Sequence, residues 1–153
     1  MRSPDPAVPE GFTWLDLNKS LFLETNGPFY VRRAGEEVAI GMRVEKRHCN
    51  SAGTLHGGMM GAFADVTLTV GANILARTQR FLVTLSLGLD YVGSAKAGDW
   101  VQAPVEVVRV TRGYVFAQAV ASTLEGTPVA RINGTLLVRG DPDPRYDGER
   151  FFR

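Results

Sequence analysis

The chain has 153 residues, 44% of them hydrophobic and 22% charged, with a formal net charge of +1. That length suits one domain with a core of its own, and a charge so near neutrality gives no electrostatic ground for nucleic acid or an anionic membrane as partner. A lone cysteine, Cys49, excludes an intrachain disulfide and fits a reducing compartment, so a soluble cytoplasmic protein is the expectation.

Residues 1–11 carry Pro4, Pro6 and Pro9 and no apolar run, which reads as a disordered lead-in and not as a signal peptide. From Phe12 to Leu23 the apolar residues Trp14, Leu15, Leu17, Leu21 and Phe22 suggest a short amphipathic helix, ended by Gly27-Pro28. Phe29–Arg33 and Val38–Glu45 then form a hairpin around Ala34-Gly35-Glu36. A turn over Asn50–Gly53 leads into a helix from about Gly57 to Arg77. That helix is apolar on nearly every side, as a helix enclosed by other elements would be. Its glycines, Gly57, Gly58, Gly61 and Gly71, make sense where another backbone comes close. Four strands follow over Phe81–Tyr91, Trp100–Thr111, Tyr114–Leu124 and Pro128–Val138, with Pro104 marking an edge or a bulge. The tail from Gly140 is rich in charge and proline and is expected to be loose, although Phe151 and Phe152 could dock.

The elements add up to an α+β architecture, an antiparallel sheet wrapped around one long central helix. The expected division is an N-terminal extension with a short helix over 1–28, a domain over 29–139, and a flexible tail over 140–153.

The chemistry sits in the run Asn50, His56-Gly57-Gly58 and Ala64-Asp65. First-turn amides of a helix lack intrahelical partners and lie at the positive end of its dipole. Gly57 and Gly58 have no side chain to block a carbonyl from reaching those amides, which suits an oxyanion; the same run is equally a tight turn before a helix. Asp65 stands alone in an apolar helix, so it is either functional or bonded to Thr67, Thr69 or a backbone amide. The two are eight residues apart, about 12 Å along a helix axis. They cannot serve one reacting carbon. If both act, Asp65 must serve the Gly57 of a second, antiparallel helix in a two-fold dimer.

Weaker candidates surround these. Asn50 can hold a carbonyl or a water, or simply close an Asx-turn; His56 can bond substrate or fix the loop. With His48 the only other histidine, no metal site is expected, and Cys49 beside it would point to the opposite strand face. Thr84, Ser86 and Asp90 alternate on one strand face, where Gly88 leaves room for a ligand; this face could equally be merely wetted. Met59 and Met60 suggest a pliable acyl pocket.

Together with Leu89-Asp90-Tyr91-Val92 and Ala95-Lys96-Ala97-Gly98-Asp99, the run resembles the signature of the hotdog-fold acyl-CoA thioesterases of the phenylacetate-pathway (PaaI-like) family, over roughly residues 35–138. The resemblance implies a homodimer, often a dimer of dimers (a homotetramer), that hydrolyses acyl-CoA with neither metal nor cofactor; coenzyme A is part of the substrate. It implies Gly57 as backbone donor, Asn50 and His56 ordering that side, Asp65 of the partner subunit as general base or nucleophile, and Thr84 assisting a water. Gly58, Met59, Gly88, Asp90 and Lys96 are the candidates for substrate contact, with Arg77, Arg80, Arg109 and Arg112 as weaker ones for the phosphates. The competing readings are a hotdog hydratase or dehydratase, for which no second His stands near a suitable acid, and a non-catalytic acyl-CoA binding protein, which would not need Asp65.

Overall fold

The computed structural model describes residues 7–17 and 20–153. Pro4 and Pro6 of the expected lead-in lie outside them, as do positions 18 and 19 of the expected first helix. The elements run β1 (Phe12–Trp14), α1 (Leu21–Asn26), β2 (Phe29–Ala34), β3 (Glu37–Arg43), α2 (Gly57–Ala76), β4 (Phe81–Tyr91), β5 (Trp100–Val110), β6 (Tyr114–Thr123) and β7 (Pro128–Arg139). A 7-stranded antiparallel sheet in the order β1-β2-β3-β5-β6-β7-β4 curves around α2. The expected sheet around a central helix is what the chain forms.

The core lies between that helix and the sheet. Met60, Phe63, Leu68 and Ala72 of α2 meet Val31, Ile40, Met42, Val101, Ala119 and Ile132 of the strands. By length and composition α2 could cross a membrane, but the sheet buries much of it, which identifies a core helix. The sheet packs tightly at Gly71, where an added Cβ would stand 2.5 Å from Val105 Cγ2. The neighbour is a side chain, not the expected backbone, and Gly61 meets nothing of its own chain within 4 Å.

The first expected helix is corrected. Phe12–Trp14 pairs with β2 as a strand, and only Leu21–Asn26 is helical, capped by Ser20. The strand forms because Phe12 joins Tyr30, Ala39 and Trp100 in a small cluster on the sheet's outer face. Phe12 meets Trp100 edge-on at 5.0 Å; such pairs add about 0.5–1.5 kcal/mol beyond area burial. Gly41 makes room, since a Cβ there would lie 2.4 Å from Trp100.

Pro104 sits inside the sheet, not at its edge. Pairing of β5 with β6 passes through Gln102 and resumes at Val105, and the bulge comes later, between Val107 and Arg109. Beyond Gly140 the chain is not loose. It forms two 3-10 turns, Pro144–Tyr146 and Gly148–Phe152, and both terminal phenylalanines pack against the core.

A 3-10 turn at Lys46–His48 precedes the long loop into α2. His48 is buried; its Nδ1 accepts from Glu45 N–H at 3.0 Å and its carbonyl accepts from His56 N–H at 2.8 Å. Burial, aided by the charge of Arg47, holds its pKa below the ordinary 6.5. The unfolded chain therefore binds this proton first on acidification, and stability present above pH 6.5 is lost as pH falls towards the depressed folded value. Thermal melts are expected to show this loss in wild type as pH falls below 6.5, and a reduced loss in His48→Asn. In Gly71→Ala the clash with Val105 outweighs the helix-propensity gain, and denaturant unfolding should show a net loss of about 1 kcal/mol.

Candidate active site

At the start of α2, His56 is the N-cap, and its Nδ1 accepts from Gly58 N–H at 2.9 Å. The Gly58 amide is thereby consumed, while Gly57 N–H has no acceptor among the described residues. On the other side, Tyr91 Oη donates to the Gly57 carbonyl at 2.8 Å, and its ring lies in ordinary contact with the position of a Gly57 Cβ. Tyr91 fixes the site, yet its role was not evident in the sequence. Only its place in the Leu89–Val92 run hinted at it.

Asn50 is exposed and closes its own loop. Its Oδ1 accepts from Ala52 N–H at 3.0 Å and Thr54 N–H at 3.2 Å, and its Nδ2 donates to Thr54 Oγ1 at 3.0 Å. Thr54 bridges Lys96 across the loop, so Lys96 is exposed on the Gly57 side of the molecule. Met59 packs into the core with Met60.

Asp65 lies two turns further along α2, half-buried. Neither Thr67 nor Thr69 binds its carboxylate: Thr67 Oγ1 is buried without a partner, and Thr69 Oγ1 donates to the Asp65 carbonyl at 2.7 Å. The carboxylate's partner is Thr84 of β4, whose Oγ1 donates to Asp65 Oδ1 at 2.6 Å. That distance is in the range of charge-assisted O–H···O⁻ bonds. Oδ2 takes no hydrogen bond among the described residues, and Asp65 lines a cavity of about 640 Å³.

A β-bulge makes the Thr84–Asp65 contact. The β4–β7 register shifts between Thr84 and Ser86, so Leu85 is the extra residue. Before the bulge, Leu82 and Thr84 face the helix; after it, Leu87 and Leu89 do. Ser86, Gly88 and Asp90 are turned to the outer face. The expectation that Thr84, Ser86 and Asp90 share one face is corrected accordingly. Gly88 abuts Asn133, whose Oδ1 would stand 2.7 Å from an added Cβ, and Asp90 pairs with Arg131 at 2.7 Å. Both are sheet-surface features, apart from the Asp65 cavity.

Gly57 and Asp65 thus occupy two places. The helix between them is unbroken, which sets them about 12 Å apart along its axis. Arg77 is at the opposite end of α2, and Arg109 and Arg112 are exposed on β5 and the turn after it, so these arginines form no cluster with Gly57. Among the described residues, no group of three or more His, Cys, Asp or Glu is placed to hold a metal.

A family model described as the thioesterase superfamily matches residues 52–130. A Pseudomonas aeruginosa protein named as an esterase is 35% identical over 113 residues, covering 73% of this chain and 84% of that protein. Mouse acyl-coenzyme A thioesterase 13 is 29% identical over 89 residues, 57% of this chain and 61% of the relative. Among solved structures, a variant of the phenylacetic acid degradation protein PaaI from Thermus thermophilus is 28% identical with a TM-score of 0.65, covering 77% of this chain and 98% of that one.

Proposed function

The chain belongs to the thioesterase superfamily, and from that premise we propose that it hydrolyses acyl-CoA thioesters in sites shared between two copies of itself. The hotdog arrangement of sheet and helix is in place, and the chain is a thioester hydrolase. The mouse relative supports acyl-CoA as the substrate, and the steps below use neither metal nor cofactor.

The observation that carries the shared site is the separation just described: an open amide at Gly57 and an open carboxylate oxygen at Asp65, held apart by one continuous helix. Two-fold pairing of the molecules at β4 would join the two halves. β4 is an edge strand, with β7 as its sole neighbour among the described residues, and it exposes Phe81, Leu85 and Tyr91. An exposed apolar edge is a template for another strand, and beside it runs the half-buried face of α2 that carries Asp65 and Thr69. Antiparallel helices across the two-fold would place each Gly57 near Asp65 of the partner subunit.

In such a site Gly57 N–H, at the positive helix end, donates to the thioester oxygen and stabilises the oxyanion formed on attack. Asp65 of the partner subunit acts through Oδ2 as general base on a water. Thr84 fixes the carboxylate through Oδ1 and keeps lone pairs with which to accept a bond from the same water. The water oxygen bonds to the carbonyl carbon, the C–S bond breaks, and the thiolate leaves with the electron pair. The proton held by Asp65 then passes to the thiolate or to solvent.

The test is release of free thiol from a panel of acyl-CoAs. Asp65→Asn is expected to lower kcat by about 10²–10⁴-fold. Thr84→Ala, losing one charge-assisted bond, should cost on the order of 10-fold. Gly57→Pro deletes the donor while suiting the first helical position, because His56 is already extended at φ −64 and ψ 136. It should lose about 10²–10³-fold in kcat with its melting temperature kept. Full activity in Asp65→Asn would refute the mechanism, and a wild type that releases no thiol would refute the function.

A further inference from the structure

We infer that the two chain ends form the acyl-binding wall of the Asp65 site and decide which acyl groups it takes. The inference rests on the thioesterase reading, and concerns residues outside the matched region 52–130.

The cavity of about 640 Å³ into which Asp65 and Thr84 open is bounded on one side by α2, through Val66, Val70 and Ile74, and on another by the first half of β4. Neither element closes it. The remaining wall comes from the chain ends, with Leu17 and Leu23 of the N-terminal extension and Tyr146 and Phe151 of the C-terminal tail as its apolar side chains. Leu17, Leu23 and Phe151 are partly buried against the core, and the Tyr146 ring lies 5.5 Å from that of Phe81 at the β4 end.

These segments are held in place by contacts that reach far along the chain. Glu149 takes two hydrogen bonds from Arg33, at 2.8 and 3.0 Å, and the guanidinium keeps the Glu149 carboxyl below its ordinary pKa. Asp143 N–H donates to the Gln79 carbonyl at 2.8 Å, tying the tail to the α2–β4 connection. Arg150 donates to the Asp16 carbonyl at 3.4 Å, and Thr13 Oγ1 to the Phe151 carbonyl at 3.4 Å, so the two ends also hold each other.

The lining identifies the occupant. Of the two arginines on the wall, Arg145 is paired with Asp143 and lies 5.7 Å from the Tyr146 ring, and Arg150 lies 4.6 Å from the Phe151 ring. The other polar lining residues, Ser20, Thr69, Asn73 and Thr84, are uncharged, the rest of the lining is mostly apolar, and Asp65 is the one carboxylate among the lining residues. Phosphates would find little here. With the thioester carbon at Asp65, the group that extends into this cavity is therefore the acyl chain, while the coenzyme A arm leaves on the Asn50–Lys96 side. A volume in the usual range of ligand pockets, about 300–1,000 Å³, far exceeds what an acetyl group fills. The favoured substrates are apolar acyl groups of medium size, such as decanoyl.

The experiment compares kcat/KM for acetyl-, hexanoyl- and decanoyl-CoA in the full chain, for wild type, Phe151→Ala, which opens the wall, and Leu17→Phe, which fills the space. In parallel, calorimetry measures binding of decanoate, a readout independent of turnover. The decanoyl-to-acetyl ratio should favour decanoyl in wild type and fall on the order of tenfold in both variants, with weaker decanoate binding in each. Ratios and decanoate affinities that match wild type in both variants, with melting temperatures retained, would overturn the inference and leave the thioesterase reading standing. If wild type hydrolyses no acyl-CoA, that reading fails, and the pocket stands or falls on whether decanoate binds and responds to Leu17 and Phe151.

Discussion

An α-helix advances 1.5 Å per residue, and the chemistry proposed for this protein depends on that fixed rise. α2 is locked under the sheet by Met60, Phe63, Leu68 and Ala72, each at most 1% exposed. Its amide end and its carboxylate cannot approach one another without unpacking the core. The amide of Gly57 is left open because His56 caps the neighbouring amide and Tyr91 takes only the carbonyl. The Asp65 carboxylate is engaged by Thr84 through one oxygen only. Each half is preorganised and incomplete, and the proposed two-fold assembly is what such halves require.

Much of this was legible in the sequence. The long helix, the hairpin over β2 and β3 and the last four strands carry strong apolar patterns, and their ends agree with the structure to within a residue or two. The run from Asn50 to Asp65 was legible for a different reason: its spacing alone separates Gly57 from Asp65. The face of β4 was not. A two-residue period assumes an unbroken pleat, and Leu85, the bulged residue, is as apolar as any strand residue around it. One extra residue kept Thr84 on the helix side and turned Gly88 and Asp90 away from it.

The chain ends were illegible for a third reason, since their structure is set by distant partners. Phe12 is a strand residue because Trp100 and Gly41 offer a place for it. The tail is ordered because Arg33, 116 positions away, faces Glu149. Local composition, with its prolines and charges, names neither partner; for the tail only Phe151 and Phe152 hinted at docking. These same ends line the cavity at Asp65, so the segments hardest to read locally are those that would tune the acyl group, while the matched core supplies the chemistry.

The central claim is that each site takes Gly57 from one subunit and Asp65 from the other. It is tested most directly by mixing inactive Gly57→Pro with inactive Asp65→Asn under conditions where subunit exchange is verified. A mixed dimer then holds one intact site and one doubly defective site, so random exchange should restore roughly a quarter of wild-type activity. Complete exchange with no recovery would contradict the shared site.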